Sequence, residues 1–69
     1  MSNINAKKIR ALMFSQQLNI SELAKKSNLQ NASISRLMTD GATANAATIG
    51  KISAALGCDG EELIILNGE

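Results

Sequence analysis

"LNISELAKKSNLQNASISRL", residues 18–37, decides the fold. Asn19 and Glu22 have the spacing of a capping box, in which an N-cap side chain accepts from the backbone three residues on while the glutamate reaches back. This predicts a short helix over about residues 20–27, with Ile20, Leu23 and Ala24 inward and Lys25 and Lys26 outward. Ser27 and Asn28 supply turn chemistry, because asparagine tolerates the left-handed conformation better than other non-glycine residues. Apolar spacing then resumes. Leu29, Ile34, Leu37 and Met38 share one face of a further helix over about residues 30–38, leaving Gln30, Asn31, Ser33 and Arg36 on the other.

Working outward, Ile9, Leu12, Met13 and Gln16 stand at spacings of three and four within residues 4–17. They predict a first helix that buries Ile9, Leu12 and Met13 and keeps Lys7, Lys8 and Arg10 in solvent. Downstream, Asn45 caps a fourth helix running to about Leu56, with Ala46, Ile49, Ile52, Ser53 and Leu56 on one stripe and Gly57 placed for a left-handed C-terminal cap. Gly50 inside it costs about 1 kcal/mol relative to alanine, which marks a close helix contact or a simple weakness. Asp59 with Glu62 repeats the capping-box spacing and predicts a fifth helix through "EELIILN", residues 61–67. Proline is absent and helix formers dominate, so the expected architecture is all-α, five short helices and no strand.

With 69 residues the chain is expected to form one small domain, residues 1–69, whose stability comes from efficient helix packing or from a partner chain. One cysteine cannot form an internal bridge, and no secretory leader or apolar run approaching the roughly 18 residues of a membrane span is visible. The expected location is the cytoplasm, with no membrane partner.

The net charge of +1 conceals a split. Residues 1–40 carry Lys7, Lys8, Arg10, Lys25, Lys26 and Arg36 against Glu22 and Asp40, 6 minus 2, or +4. Residues 41–69 carry Lys51 against Asp59, Glu61, Glu62 and Glu69, 1 minus 4, or −3. Such asymmetry is the footprint of a molecule that turns one end toward a polyanion.

Catalysis finds no support. There is no histidine, and Cys58 lies in an aliphatic register without a neighbouring base, the expectation for an inert buried thiol. "TIGKIS", residues 48–53, contains a Gly-Lys pair, but the phosphate-loop pattern needs a glycine where Asn45 stands and a hydroxyl where Ile52 stands. The carboxylates at 59–62 suit a helix N-terminus and form no metal site. No cofactor, metal or small-molecule ligand is expected.

Leu18, then Leu23-Ala24, then Asn28-Leu29, then Ile34 and Leu37, form a pattern that resembles the phage-repressor and Cro-type helix-turn-helix domains, xenobiotic-response-element-like regulators among them. Ile49, Ile52, Leu56, Gly57, Cys58 and Leu63 fall where that family places the rest of its core, and the match runs over about residues 5–66 without a gap. The resemblance implies a compact lambda-repressor-like domain. Small Ala24 lets the second and third helices approach, and Asn28 sets them at a large angle so that the third can enter a DNA major groove.

By position in that family, Gln30, Asn31, Ala32, Ser33 and Arg36 would contact bases. Gln30 and Asn31 have the amide geometry for adenine, Ala32 suits a thymine methyl, and Arg36 can fork onto guanine or hold a phosphate. Asn19 and Ser21 at the start of the second helix would take a phosphate, as would Thr43 and Asn45, with Lys7, Lys25 and Lys26 adding contacts and Lys7, Lys8, Arg10, Lys25 and Lys26 supplying long-range attraction. The chain departs from the family in three places. "TDGATANAA", residues 39–47, offers no cation; Ile20 replaces a common glutamine; and Met13 and Met38 replace a common arginine and glutamate pair. The last exchange predicts direct contact between Met13 and Met38, joining the first and third helices.

"LIIL", residues 63–66, would be apolar on all sides of a helical turn, more than a peripheral helix buries against its own core. Ile64, Ile65 and Leu66 are therefore expected to form a weak homodimer interface, which would set two recognition helices about 34 Å apart on DNA. The expected function is that of a sequence-specific double-stranded DNA-binding transcriptional regulator, a Cro-like repressor of phage or mobile-element origin. The competing reading is an antitoxin-like or adaptor module that keeps the fold for protein interaction.

Overall fold

The computed structural model describes residues 2–65. In chain order these form strand β1 (Ser2–Asn3), helices α1 (Ala6–Ser15), α2 (Ile20–Ser27) and α3 (Asn31–Leu37), strand β2 (Thr43–Ala44), helix α4 (Ala46–Leu56) and a single 3₁₀ turn (Gly60–Leu63). The fold is mostly helical, with four α-helices rather than the expected five and with a small sheet that was not expected. None of the described helices is long and apolar enough to cross a membrane.

Each of the three helices with a side-chain N-cap is started by an asparagine. Asn5 Oδ1 accepts from Lys8 N at 3.1 Å, Asn19 Oδ1 from Glu22 N at 2.8 Å, and Asn45 Oδ1 from Thr48 N at 2.9 Å. The α2 box closes reciprocally, Asn19 N donating to Glu22 Oε1 at 2.9 Å. The same three helices stop by one device. Gln17 (φ 58°), Asn28 (φ 59°) and Gly57 (φ 72°) turn left-handed. The next residue then closes back five positions, Leu18 N to Met13 O and Leu29 N to Ala24 O at 2.8 Å, Cys58 N to Ser53 O at 3.0 Å. This is the long bond of a Schellman motif, and its usual hydrophobic contact is present, since Leu18, Leu29 and Cys58 all pack against the core.

That core is one cluster drawn from every helix: Ile4, Ile9, Met13, Leu23, Ala24, Ile34, Leu37, Ala44, Ile49, Ile52, Leu56 and Leu63. Ala24 is buried, and α2 packs against both α3 and α4. Ser27, expected in a turn, is the last residue of α2 and is buried. Its Oγ donates to Leu23 O at 2.7 Å, so the hydroxyl is satisfied where it is dry. Met13 is buried and Met38 is half-buried against the same cluster, so neither methionine stands in solvent. Gln16, expected on the apolar stripe, is exposed at the end of α1 and donates from Nε2 to Leu56 O at 2.7 Å. At Gly50 a Cβ would meet nothing within 4 Å, so this glycine serves no close contact and is a plain weakness of α4.

The fifth helix is corrected to one 3₁₀ turn. Its start is as expected, Asp59 N donating to Glu62 Oε2 at 3.2 Å, but the chain leaves helical geometry at Ile64, whose backbone is extended. The cause lies at the other end of the chain. Ile4 pairs antiparallel with Ile64, and Asn5 N donates to Leu63 O at 2.8 Å while Ile65 N donates to Asn3 O at 2.9 Å. On its opposite side the same N-terminal segment pairs with β2, Ser2 against Ala44 and Asn3 against Thr43, and Ile4 N donates to Ala42 O at 2.8 Å. The first helix therefore begins at Ala6 rather than at residue 4, and its four N-terminal neighbours run between two extended segments.

An extended chain alternates its side chains. Ile64 is half-buried against the core and Ile65 is 46% exposed, so the apolar segment does not surround a helical turn. Leu66, the third residue expected in a dimer contact, lies outside the described residues.

Candidate nucleic-acid interface

The α2–turn–α3 unit presents one edge of α3 to solvent. Ile34 and Leu37, both fully buried, fix how α3 is rolled on the core, and Leu29 packs beneath its start. With that roll set, Gln30, Asn31, Ala32 and Arg36 are exposed and Ser33 is half-buried. Four of the five candidate base-contacting residues thus face solvent, and Ser33 borders the groove beside them. Gln30 is the N-cap of α3, and its side chain makes no capping bond, so the amide is not spent on the helix.

Beside this edge runs a groove lined by Leu29, Ser33, Arg36, Leu37, Thr43, Ala44, Asn45 and Thr48. A second depression, lined by Arg36, Gly41, Ala42 and Thr43, continues from it. Arg36 borders both, so the guanidinium sits where the recognition edge meets the following loop. The structure therefore joins Ser33 and Arg36 of the candidate base set to Thr43 and Asn45 of the candidate phosphate set. Asn45 lines the groove, and its Oδ1 accepts from Thr48 N, which leaves the side-chain N–H groups outside the cap.

The remaining candidates lie elsewhere. Asn19 and Ser21 are exposed at the start of α2, where the Asn19 carbonyl oxygen is committed to the capping box. Lys25 and Lys26 are exposed in the last turn of α2. Lys7 is exposed in the first turn of α1 and does not line the groove. Its neighbour Lys8 places Nζ 3.8 Å from Glu62 Oε1, so that end of α1 lies beside the acidic segment.

The loop between α3 and β2 carries Asp40 and no cation, and its shape is held by backbone and side-chain bonds instead. Thr39 Oγ1 donates to Arg36 O at 2.7 Å, Ala42 N donates to Thr39 O at 3.3 Å, and Gly41 takes φ 79°, a left-handed value. Two carbonyls of this loop are held from the N-terminal part of the chain: Met38 O by Arg10 Nη2 at 3.0 Å, and Ala42 O by Ile4 N. Sequence reasoning gave Arg10 only a part in long-range attraction and Ile4 no place at this site. The only signal of Ile4 was one apolar residue among polar ones, too little for a period.

Cys58 is half-buried rather than fully buried. Desolvation pushes its thiol pKa up, the Glu62 and Asp59 carboxylates push it further, and Lys8 opposes them. A thiol held in its neutral form is poorly nucleophilic and a weak metal ligand. Among the described residues, no group of three or more His, Cys, Asp or Glu side chains is arranged to hold a metal ion.

Comparison with known proteins agrees with the geometry. Among solved structures, the chain is similar to HEPD of Streptomyces albus, seen with 2-hydroxyethylphosphonate and Fe(II), at 25% identity and a TM-score of 0.79 over 87% of this chain. It spans only 14% of that protein's length. It is also similar in fold to the restriction-modification controller protein C.AhdI of Aeromonas hydrophila, at 22% identity and a TM-score of 0.78, covering 86% of this chain and 89% of that one. No curated protein matches by sequence. A family model described as the Cro/C1-type helix-turn-helix DNA-binding domain matches residues 8–69, and the chain belongs to that family.

Proposed function

We propose that the chain is a sequence-specific transcriptional regulator that inserts α3 into the major groove of double-stranded DNA and represses by occupying its operator. The observation that carries this reading is the continuity of the α3 edge, through Ser33 and Arg36, with the groove bordered by Thr43 and Asn45. An edge of amides and a guanidinium can read bases while hydroxyl and amide groups beside it take the flanking phosphates. The similarity in fold to a protein named as a controller of restriction and modification supports a regulatory role. A small cytoplasmic regulator acting as a weak homodimer, assembled at the exposed Ile65 rather than at the half-buried Ile64, completes the proposal.

In this reading Gln30, Asn31, Ala32, Ser33 and Arg36 face bases. Asn19, Ser21, Lys7, Lys25, Lys26, Thr43 and Asn45 serve phosphates directly or through long-range attraction. Selection of binding sites from random duplexes tests it, followed by Asn31→Ala and Arg36→Ala on the selected site. Each bidentate base contact is worth about 1–3 kcal/mol of discrimination, so each substitution should relax base preference at one or two positions and weaken binding by roughly tenfold. Unchanged affinity and preference in both variants would remove α3 from the reading role. The cation-poor loop keeps a second reading in view, a protein-interaction module on the same fold. Absence of duplex binding at low salt together with tight capture of a protein partner would favour it.

A further inference from the structure

We propose that Arg10 is a positioning residue for the recognition helix, acting through the Met38 carbonyl rather than on DNA. The inference rests on the DNA-reading role of α3 proposed above. Its basis is the way the end of α3 is held. Met38 is the C-cap of α3, and the last carbonyls of a helix have no partner within it. Met38 O is met by Arg10 Nη2 at 3.0 Å, a bond that spans 28 positions in sequence and ties α1 to the end of α3.

Four residues later the loop is held again, Ala42 O by Ile4 N at 2.8 Å. Both holding groups thus come from the first ten residues, and both act on carbonyls of the segment that carries Arg36 into Thr43. No acidic side chain of α3 is available to anchor α1, since its sequence, Asn31–Leu37, contains neither Asp nor Glu. Arg10 supplies a polar link between the two helices, while Met13 and Met38 each join the shared core cluster.

A charged donor on a neutral carbonyl is stronger than a neutral pair, and a cationic group at a helix C-terminus also meets the negative end of the helix dipole. Arg36 stands only two residues before Met38, so a loose last turn would blur the position of its guanidinium. Loss of the Arg10 bond is therefore expected to weaken operator binding without removing a phosphate contact.

Salt dependence separates these roles, because each lost phosphate contact lowers the slope of log K against log salt by about one. The chain is short enough for total synthesis, which allows Arg10 to be replaced by citrulline, a residue of the same shape that keeps N–H donors and loses the charge. Arg10→Met should weaken binding to the selected duplex about fivefold with the salt slope unchanged, and the citrulline chain, which restores the N–H donor without the charge, should recover part of the loss. In the free protein, Arg10→Met should also speed hydrogen exchange at the Thr39 and Ala42 amides while leaving Cys58, closed onto Ser53 on α4, unaffected.

Wild-type affinity in Arg10→Met, or a loss that comes with a slope lower by about one and no recovery with citrulline, would overturn the proposal. Exchange at Thr39 and Ala42 unchanged by Arg10→Met would overturn it independently of any DNA. If the wild-type chain binds no duplex, the DNA-reading role itself fails, and the exchange measurement still decides whether Arg10 holds the end of α3.

Discussion

At the scale of single residues, three left-handed positions do the same job at different cost. Gln17, Asn28 and Gly57 each end a helix, and each passes the chain to an apolar residue that closes back onto the last turn. Glycine takes such a φ freely and asparagine with little penalty, but a side chain like glutamine loses about 1–2 kcal/mol there. Gln17 is exposed, so its side chain offers no burial in compensation. Gln17→Gly should therefore stabilise the fold by about 0.5–1 kcal/mol after the extra entropy of glycine in the unfolded chain is deducted, raising the thermal midpoint by about 2–8 °C. Asn28→Gly should leave it nearly unchanged. Thermal unfolding followed by circular dichroism measures both, and a fall in the Gln17→Gly midpoint would mean that its side chain does more than occupy the turn. The same motif explains Cys58. It is the apolar residue after Gly57, and its place against the core is that of Leu18 after Gln17 and Leu29 after Asn28.

At the scale of elements, what could be read from the sequence was what is local. Asn19 with Glu22, Asn45 with its stripe of Ile49, Ile52 and Leu56, and Asn28 between two helical periods all act within a few residues, and α2, α3 and α4 stand within a residue or so of where they were expected. The small sheet was not legible because two-residue strands have no period, and their pairing joins residues some 40 to 60 positions apart. The same pairing explains the missing fifth helix. Asp59 and Glu62 begin a helical turn as their spacing requires, and Ile64 then leaves it to pair with Ile4. The outward side of α3 was legible too, because Ile34 and Leu37 fix its roll, whereas the Arg10 link was hidden by its distance in sequence. One local rule fails at the candidate site itself. Gln30 occupies an N-cap without capping, in a chain whose other α-helices all begin with a capping asparagine. Such a failure is expected where a side chain is kept for another use. Gln30→Ser supplies the missing acceptor and should stabilise the fold by about 0.5–1 kcal/mol while lowering base discrimination on the selected site. Urea unfolding and competition binding read the two effects. A variant that is more stable and equally selective would show that Gln30 reads nothing.

At the scale of the whole molecule, two large apolar side chains among the described residues stand in solvent, Phe14 at 87% on α1 and Ile65 at 46% beside the acidic segment. Cations concentrate before residue 41, on α1, α2 and α3, and the acidic segment with exposed Ile65 lies at the other end. Ile65 does not line the groove beside α3, so a chain that turns that groove toward DNA leaves Ile65 available to a second copy. Because the backbone at Ile64 is extended, the interface proposed here is carried by Ile65, with Ile64 already occupied by its own core. One exposed isoleucine offers a small area, so the free protein should be largely monomeric and the dimer should form on DNA, where two half-sites about one helical turn apart raise the effective concentration. Ile65→Ser tests this. On a duplex with two half-sites it should abolish cooperative binding and reduce apparent affinity about tenfold. On a duplex with one half-site it should bind like the wild type, and its thermal midpoint should move little because the side chain is half in solvent. Equal losses on both duplexes would place the effect in the fold, and undiminished cooperativity would place the dimer contact on another face.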